Sequence, residues 1–327
     1  MPAMSIGARG GVGVTSEASP GGEPHGGRRR RPWSLVVVFV PAVWGYNWVV
    51  MKKGLAYAGP FEFAAWRYLV GAMVLLVAMG VMHRPFRIRS VGTVIWIGVL
   101  QTAGNTAFGL MALLGGPAGR SAILSYAMPF WVLLMAWPLL GERPERLQGI
   151  ATVAALVGIV VVFASSTAHR PADAALYAIL AGVTWAGGTV LTRRLLTREK
   201  CDPLALTTWQ MLAGGVALAL GALVWPGRPT DWTPAFGLIL FYEVVPATAL
   251  AWLFWIALLG RVDASVASLS ILGSPLIGLM AGAIQLGERP APLEATGMAL
   301  ILVALAIVGP VAMRQARGRR EPAQRAS

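Results

Sequence analysis

The chain has 327 residues, 56% of them hydrophobic and 13% charged, where an ordinary soluble domain carries about 25% charged residues. A mean hydropathy of +0.65 leaves too few polar side chains to coat soluble cores in a chain of this length, so a soluble fold is excluded and the apolar surface is expected to face lipid. The net charge of +13 resembles a nucleic-acid signal only until its distribution along the chain is considered. A single cysteine, Cys201, excludes a disulfide framework. With only His25, His83 and His169 as histidines, no Cys/His metal site and no cofactor are expected.

The first 32 residues are rich in Gly, Pro, Ser and Arg, lack periodicity and end on Arg28, Arg29, Arg30 and Arg31. Such a composition cannot offset the entropy of ordering, so residues 1–32 are expected to be a disordered cytoplasmic tail. The apolar stretch that follows is too long for a signal peptide and lacks a small-residue cleavage pattern, so the first helix is expected to be retained. From Trp33 onward, apolar segments of about 20 residues, enough to cross a ~30 Å hydrocarbon core as helices, recur between short charged or Gly/Pro-rich breaks. Ten are expected, near 33–53, 61–82, 91–114, 119–140, 146–164, 172–193, 203–225, 234–259, 263–286 and 292–313, with a basic cytoplasmic tail at 314–327. Lipid offers no partner to an unpaired backbone group, so the spanning elements must be helices.

With the N-terminus placed inside, only Lys52, Lys53, Arg120, Arg170, Arg228 and Arg289 fall on the outer side. Arg67 falls within a helix, and the other 20 of the 27 basic residues are cytoplasmic. This bias puts both termini in the cytoplasm of a bacterial inner membrane. The positive charge is thus mostly topology, and no nucleic-acid partner is expected.

An internal repeat supports a two-part plan. Gly141-Glu142-Arg143-Pro144 recurs as Gly287-Glu288-Arg289-Pro290, an offset of 146 at which Pro129 also matches Pro275 and Ala118 matches Ala264. Trp44 with Lys52-Lys53 matches Trp185 with Arg193-Arg194 at offset 141, and Trp66 with Gly71 matches Trp209 with Gly214 at offset 143. A five-helix unit is therefore used twice, over 33–164 and 172–313. Because five is odd, the second copy must be inverted, the design of many secondary transporters.

The stretch Trp44-Gly45-Tyr46-Asn47-Trp48 before Lys52-Lys53-Gly54-Leu55, then Phe63-Ala64-Ala65-Trp66-Arg67-Tyr68, and the doubled Gly-Glu-Arg-Pro resemble EamA-type transporters of the drug/metabolite transporter superfamily. The resemblance covers about residues 33–313. It implies ten helices around a central cavity and the movement of amino acids or other small metabolites, commonly outward. The expected partners are accordingly a small-molecule metabolite and the lipid bilayer.

Of the charged residues, only Arg67 and Glu243 fall well inside expected spans. Glu243 lies roughly 14 Å deep, counted from Pro234 at ~1.5 Å per residue. A carboxylate there is costly and marks a site for a substrate amine or for proton coupling, the alternative being a protonated or Arg-paired acid that only locks helices together. Arg67, about 10 Å in by the same count, is read as a structural or gating residue able to snorkel. Trp44, Asn47, Trp48 and Met51 form one stripe on the first helix, and Gln101, Asn105 and Phe108 one on the third. Trp185 and Thr189 are the repeat counterparts of the first stripe, and Tyr242 neighbours Glu243. An aromatic box with amide and hydroxyl groups suits an amphipathic solute, so Trp44, Asn47, Trp48, Gln101, Asn105, Trp185, Tyr242 and Glu243 are the candidate substrate-binding set. Trp33, Trp137, Trp225 and Trp232 are assigned to interface belts.

Pro129 and Pro275, mid-span in repeat-related helices, are candidate hinges because proline frees a carbonyl one turn earlier. Pro41 and Pro246 are further candidates. Ser121, Ser125, Ser265, Ser268, Gly278 and Gly282 are expected in helix packing. In each Gly-Glu-Arg-Pro, the Gly is read as a C-cap and the Pro as the start of the next helix, a scaffold role.

An intramembrane serine protease needs a base at membrane depth, and every histidine lies at a helix end or in the tail. No phosphate-cradling Gly-rich loop is present for an ATP-driven pump, so no enzymatic activity is expected. A channel or a non-transporting scaffold fits less well than a carrier. The expectation is an all-α secondary transporter, an exporter before an importer or exchanger, of amino acids or aromatic compounds.

Overall fold

The computed structural model describes residues 33–166, 172–254 and 273–325. The expected tail at 1–32, His169 and Arg170, the junction of the eighth and ninth expected spans with Arg261, Ala264, Ser265 and Ser268, and residues 326–327 lie outside the described residues. The described residues are all helix and connection, with no strand among them. In chain order the helical elements are α1 (Trp33–Gly54), α2 (Pro60–Val81), α3 (Val91–Gly115), α4 (Ala118–Leu140), α5 (Arg146–Ala164), α6 (Ala172–Arg198), α7 (Pro203–Val224), α8 (Pro234–Phe254), α9 (Gly273–Leu286) and α10 (Pro292–Arg325). Among the described residues, 8 of these are long and apolar enough to cross a membrane, and α9 is a shorter apolar helix.

The helix starts follow local chemistry. Pro60, Pro203 and Pro234 occupy first-turn positions where no N–H is needed. The Asp202 carboxylate accepts from the N–H groups of Leu204 and Ala205, each at 3.0 Å, and Thr233 accepts from Phe236. Glu145 and Gln148 form a reciprocal capping box at the start of α5. Gly141 and Gly287, with φ of 70° and 66°, take the left-handed conformation just after α4 and α9. The prolines of the two Gly-Glu-Arg-Pro segments stand two residues before α5 and α10 rather than at their first turns, because Glu145 and the Ala291–Glu294 contact cap those helices instead.

Two helices carry repeat-related irregularities. The turns at Gly98–Gly104 in α3 and Val245–Leu250 in α8 are widened to π-type bonding, as in Asn105 N–H to Leu100 O and Ala251 N–H to Pro246 O. In α4, Tyr126 and Ala127 break the helix immediately before Met128–Leu140, whose first turn holds Pro129. The Ser125 carbonyl, one turn before Pro129, faces Gly182 of α6, where a Cβ would sit 2.9 Å from it.

Packing repeats the same symmetry. α1 packs on α9 as α6 packs on α4; α3 packs on α6 and α7 as α8 packs on α1 and α2; α2 crosses α7, and α5 crosses α10. Replacing each helix by its counterpart in the other half maps this set onto itself. At the α5–α10 crossing, a Cβ on either Gly158 or Gly297 would come within 2.7 Å of the other's carbonyl oxygen, so the two backbones touch. Large apolar side chains such as Val77, Trp96, Leu223 and Ile284 point outward and exposed, the reverse of a soluble protein.

Candidate functional site

Between the helices lies a cavity of about 480 Å³, within the range that holds a small organic molecule. Trp44, Asn47 and Trp48 of α1, Gln101 and Asn105 of α3, and Trp185 of α6 all line it, as do Met51 and Thr189. Both sequence stripes therefore face the bundle interior, except Phe108, which stacks on Tyr177 away from the lining at 6.2 Å between centroids. The walls are ordered by contacts around the space. The Trp44 indole donates to Ala247 O at 3.0 Å, Gln101 donates to Thr189 Oγ1 at 3.3 Å, and Asn105 donates to Ala181 O at 2.9 Å. Trp252 of α8 packs between Trp44 and Trp185, at centroid distances of 5.6 and 6.2 Å.

Tyr242 and Glu243 lie one layer behind this wall. The Tyr242 hydroxyl donates to Val43 O at 2.8 Å. Glu243 is fully buried and is not part of the lining. Its carboxylate pairs with Arg67 Nη1 at 2.8 Å. With the Asn47 amide turned so that its nitrogen faces the acid, Asn47 donates to both Glu243 oxygens, at 3.0 and 3.1 Å, and accepts from Arg67 Nη1 at 3.2 Å. Arg67 Nε donates to Thr248 Oγ1 at 3.0 Å, and its guanidinium lies 5.0 Å from the Tyr68 ring centroid.

The structure thus pairs two charges that counting along the helices set at different depths, as the Arg-paired alternative for the acid requires. α2 and α8 begin at the same end of the bundle, where Asp231 N–H donates to Tyr57 O. The difference of about two residues between their depths is only about 3 Å at ~1.5 Å per residue, less than an arginine side chain spans. Arg67 neither snorkels nor stays near the surface. It is buried, and it lines the cavity.

Residues that pattern reasoning missed include Tyr68, Tyr126, Gln210 and Trp252, all on the cavity wall. The signal for Gln210 was present: the offset of 143 that relates Trp66 to Trp209 also relates Arg67 to Gln210.

The two Gly-Glu-Arg-Pro glutamates form repeat-related ion pairs between the halves. Glu288 meets Lys52 at 2.8 Å, and Glu142 meets Arg193 at 3.0 Å. Glu288 also accepts from the N–H groups of Ala118 and Gly119, at 2.8 and 3.1 Å, while Lys52 donates to Gly116 O. α4 therefore begins beside the first pair and ends beside the second, so the pairs lie at opposite ends of the bundle. The cavity wall reaches Thr192, Leu196 and Pro203 near the Arg193 end, and stops at Met51 beneath the Lys52 cluster.

The chain matches the EamA-like transporter family over residues 31–164 and 173–309. It is 29% identical to the uncharacterized transporter YvbV of Bacillus subtilis over 84% of this chain and 90% of that protein. It is 27% identical to a probable amino-acid metabolite efflux pump of Salmonella typhimurium over 84% of this chain and 93% of that one. A crystal structure with 19% sequence identity shares the fold at a TM-score of 0.61, covering 87% of this chain and 99% of that chain. The chain belongs to the EamA-like transporter family, a two-repeat, multi-pass membrane architecture.

Proposed function

We propose that the protein is a secondary exporter of small organic metabolites, amino acids or aromatic compounds first among them, working by alternating access. The observation that carries this reading is the cavity walled by Trp44, Trp48, Trp185 and Trp252 and by the amides of Asn47, Gln101 and Asn105. Aromatic faces accept an apolar body, and the amides fix its polar end. The name of the Salmonella relative, a probable amino-acid metabolite efflux pump, supports outward transport of this solute class.

In this reading ten helices cross a bacterial inner membrane as two inverted repeats, with both termini cytoplasmic. Inversion is supported by the placement of the Lys52–Glu288 and Arg193–Glu142 pairs at opposite ends of α4. The repeats rock about α4 and α9, with Pro129 and Pro275 as hinges; the helix break at Tyr126–Ala127 supports this for α4. Glu243, paired with Arg67 directly behind the wall, couples solute movement to a proton by exchanging its ion pair for a protonated state.

Comparative mass spectrometry of growth medium from bacteria overproducing the wild type or Glu243→Gln, at matched membrane abundance, tests the proposal. A metabolite enriched outside with the wild type, and at least about tenfold less with the variant, is expected. Unchanged medium with both removes the export reading, whereas equal export by both removes Glu243 from the mechanism.

A further inference from the structure

Among the described residues that line the cavity, Arg67 is the one with a charged side chain. Every other polar group on the wall is a neutral amide, hydroxyl or indole. A solute therefore meets a cation, and the acid that balances it is out of reach behind the wall.

The fold does not require this pair. At the α2–α8 crossing a Cβ on Gly71 would fall 2.8 Å from Thr248 Cγ2, and at the repeat-related α7–α3 crossing a Cβ on Gly214 would meet Thr102 in the same way. These contacts align Thr248 with Thr102 at offset 146, which aligns Glu243 with Ile97, while Arg67 aligns with Gln210 at offset 143. One half thus makes the crossing with Gln210 and the fully buried Ile97, and the other makes the same crossing with two charges. Burying charges at this depth is costly, and an apolar or neutral solution already exists in the same molecule.

The arrangement of the guanidinium indicates its use. Nε is held by Thr248, and Nη1 by Glu243, Asn47 and Met51 Sδ. Nη2 makes no hydrogen bond to any described residue. Three of the fork's five N–H groups thus fix its direction, and two remain for a ligand. Arginine is suited to carboxylate recognition by charge-assisted hydrogen bonds. The neighbouring rings of Trp44, Trp48 and Tyr68 provide the face for an aromatic body.

We infer that Arg67 is the carboxylate anchor of the transport site, that the preferred solutes are aromatic carboxylates, and that Glu243 and Asn47 are positioning residues that hold the guanidinium and compete for it. The competition keeps the anchor from trapping its solute: Glu243 takes the guanidinium back when the carboxylate leaves. This rests on the exporter reading above and names its substrate chemistry.

Three ligands sharing one phenylpropyl body, 3-phenylpropionate, 3-phenylpropionamide and 3-phenylpropylamine, isolate the carboxylate. Binding to the purified full-length protein in nanodiscs is read by calorimetry and by quenching of the cavity tryptophans. The wild type is expected to favour the acid over the amide by roughly ten- to a hundredfold, the range of a hydrogen bond to a charged partner, and to bind the amine least. Arg67→Gln brings the acid-to-amide ratio to about one, and so does the doubly neutral R67Q/E243Q, which leaves no buried unpaired acid and guards against misfolding of the single variant. Glu243→Gln tightens the acid severalfold, which a merely structural role would not do. Equal binding of acid and amide by the wild type, or an acid preference that survives loss of Arg67, overturns the anchor and leaves the exporter reading intact. Looser acid binding in Glu243→Gln overturns the competition. If none of the three ligands binds, the aromatic solute class fails and the anchor fails with it.

Discussion

Glu288 and Glu142 occupy the same position in the two repeats and bear different burdens. Glu288 accepts from Lys52 and from two backbone N–H groups at the start of α4, with its side chain 14% exposed, whereas Glu142 at 31% meets Arg193 at 44%. Removing the first carboxylate strands helix-terminal donors, which costs about 1–3 kcal/mol. An exposed pair contributes at most about 1 kcal/mol. Glu288→Gln is therefore expected to lower the thermal midpoint more than Glu142→Gln, in side-by-side unfolding of the purified variants; equal shifts would contradict the assignment. The repetition of Gly-Glu-Arg-Pro is plain in the sequence, and the left-handed glycines were legible from it. What the glutamates touch was not, because their partners sit in the opposite repeat. Arg67 illustrates the same limit: its place inside a span could be read, but its partnership with Glu243 depends on how α2 lies against α8.

At the scale of elements, span length and capping chemistry were readable because both are local. Prolines at first turns, Asp202 and Thr233 as N-caps, and runs of about 20 apolar residues need no tertiary information. The irregular turns are different. Pro246 accounts for one widened turn in α8, since it has no N–H to donate, but the related turn in α3 contains no proline. Both widened turns carry the threonine that meets a glycine of the neighbouring helix, Thr102 with Gly214 and Thr248 with Gly71. Helix crossings of this kind leave no room for growth. Gly158→Leu, at the α5–α10 contact where a Cβ already meets a carbonyl oxygen at 2.7 Å, is expected to separate the helices and reduce the folded yield severalfold. Gly149→Leu, about two and a half turns earlier with nothing within 4 Å of a Cβ, is the matched control that should fold normally in size-exclusion analysis.

For the whole molecule, the lone cysteine tests topology without any mutation. Cys201 lies between α6 and α7, on the side assigned to the cytoplasm by the distribution of basic residues. A membrane-impermeant maleimide should label it only after cells are opened, and labelling of intact cells would reverse the assigned orientation. Partial burial, with the carboxylates of Asp202 and Glu199 beside it, pushes the Cys201 thiol up. Less thiolate is then present at neutral pH than in a free cysteine, so labelling of opened membranes should be slow near pH 7 and keep accelerating above about pH 8.5, the ordinary thiol value. A rate that levels off below that pH would place the thiol in a different environment.

Membrane character, the helical class and the doubled unit were determined by the sequence alone, because composition, apolar run length and fixed offsets are properties of a chain read in one dimension. The same is true of the aromatic and amide stripes on α1 and α3, whose spacing puts them on one face whatever the surroundings. Only the tertiary structure decided that Arg67 reaches the cavity while Glu243 stands behind it, and that the crossing made with two charges in one half is made with Gln210 and Ile97 in the other. The reason is geometric: a helical pattern states which residues share a face, but which of two paired side chains lines the cavity is settled by the helix packed against that face.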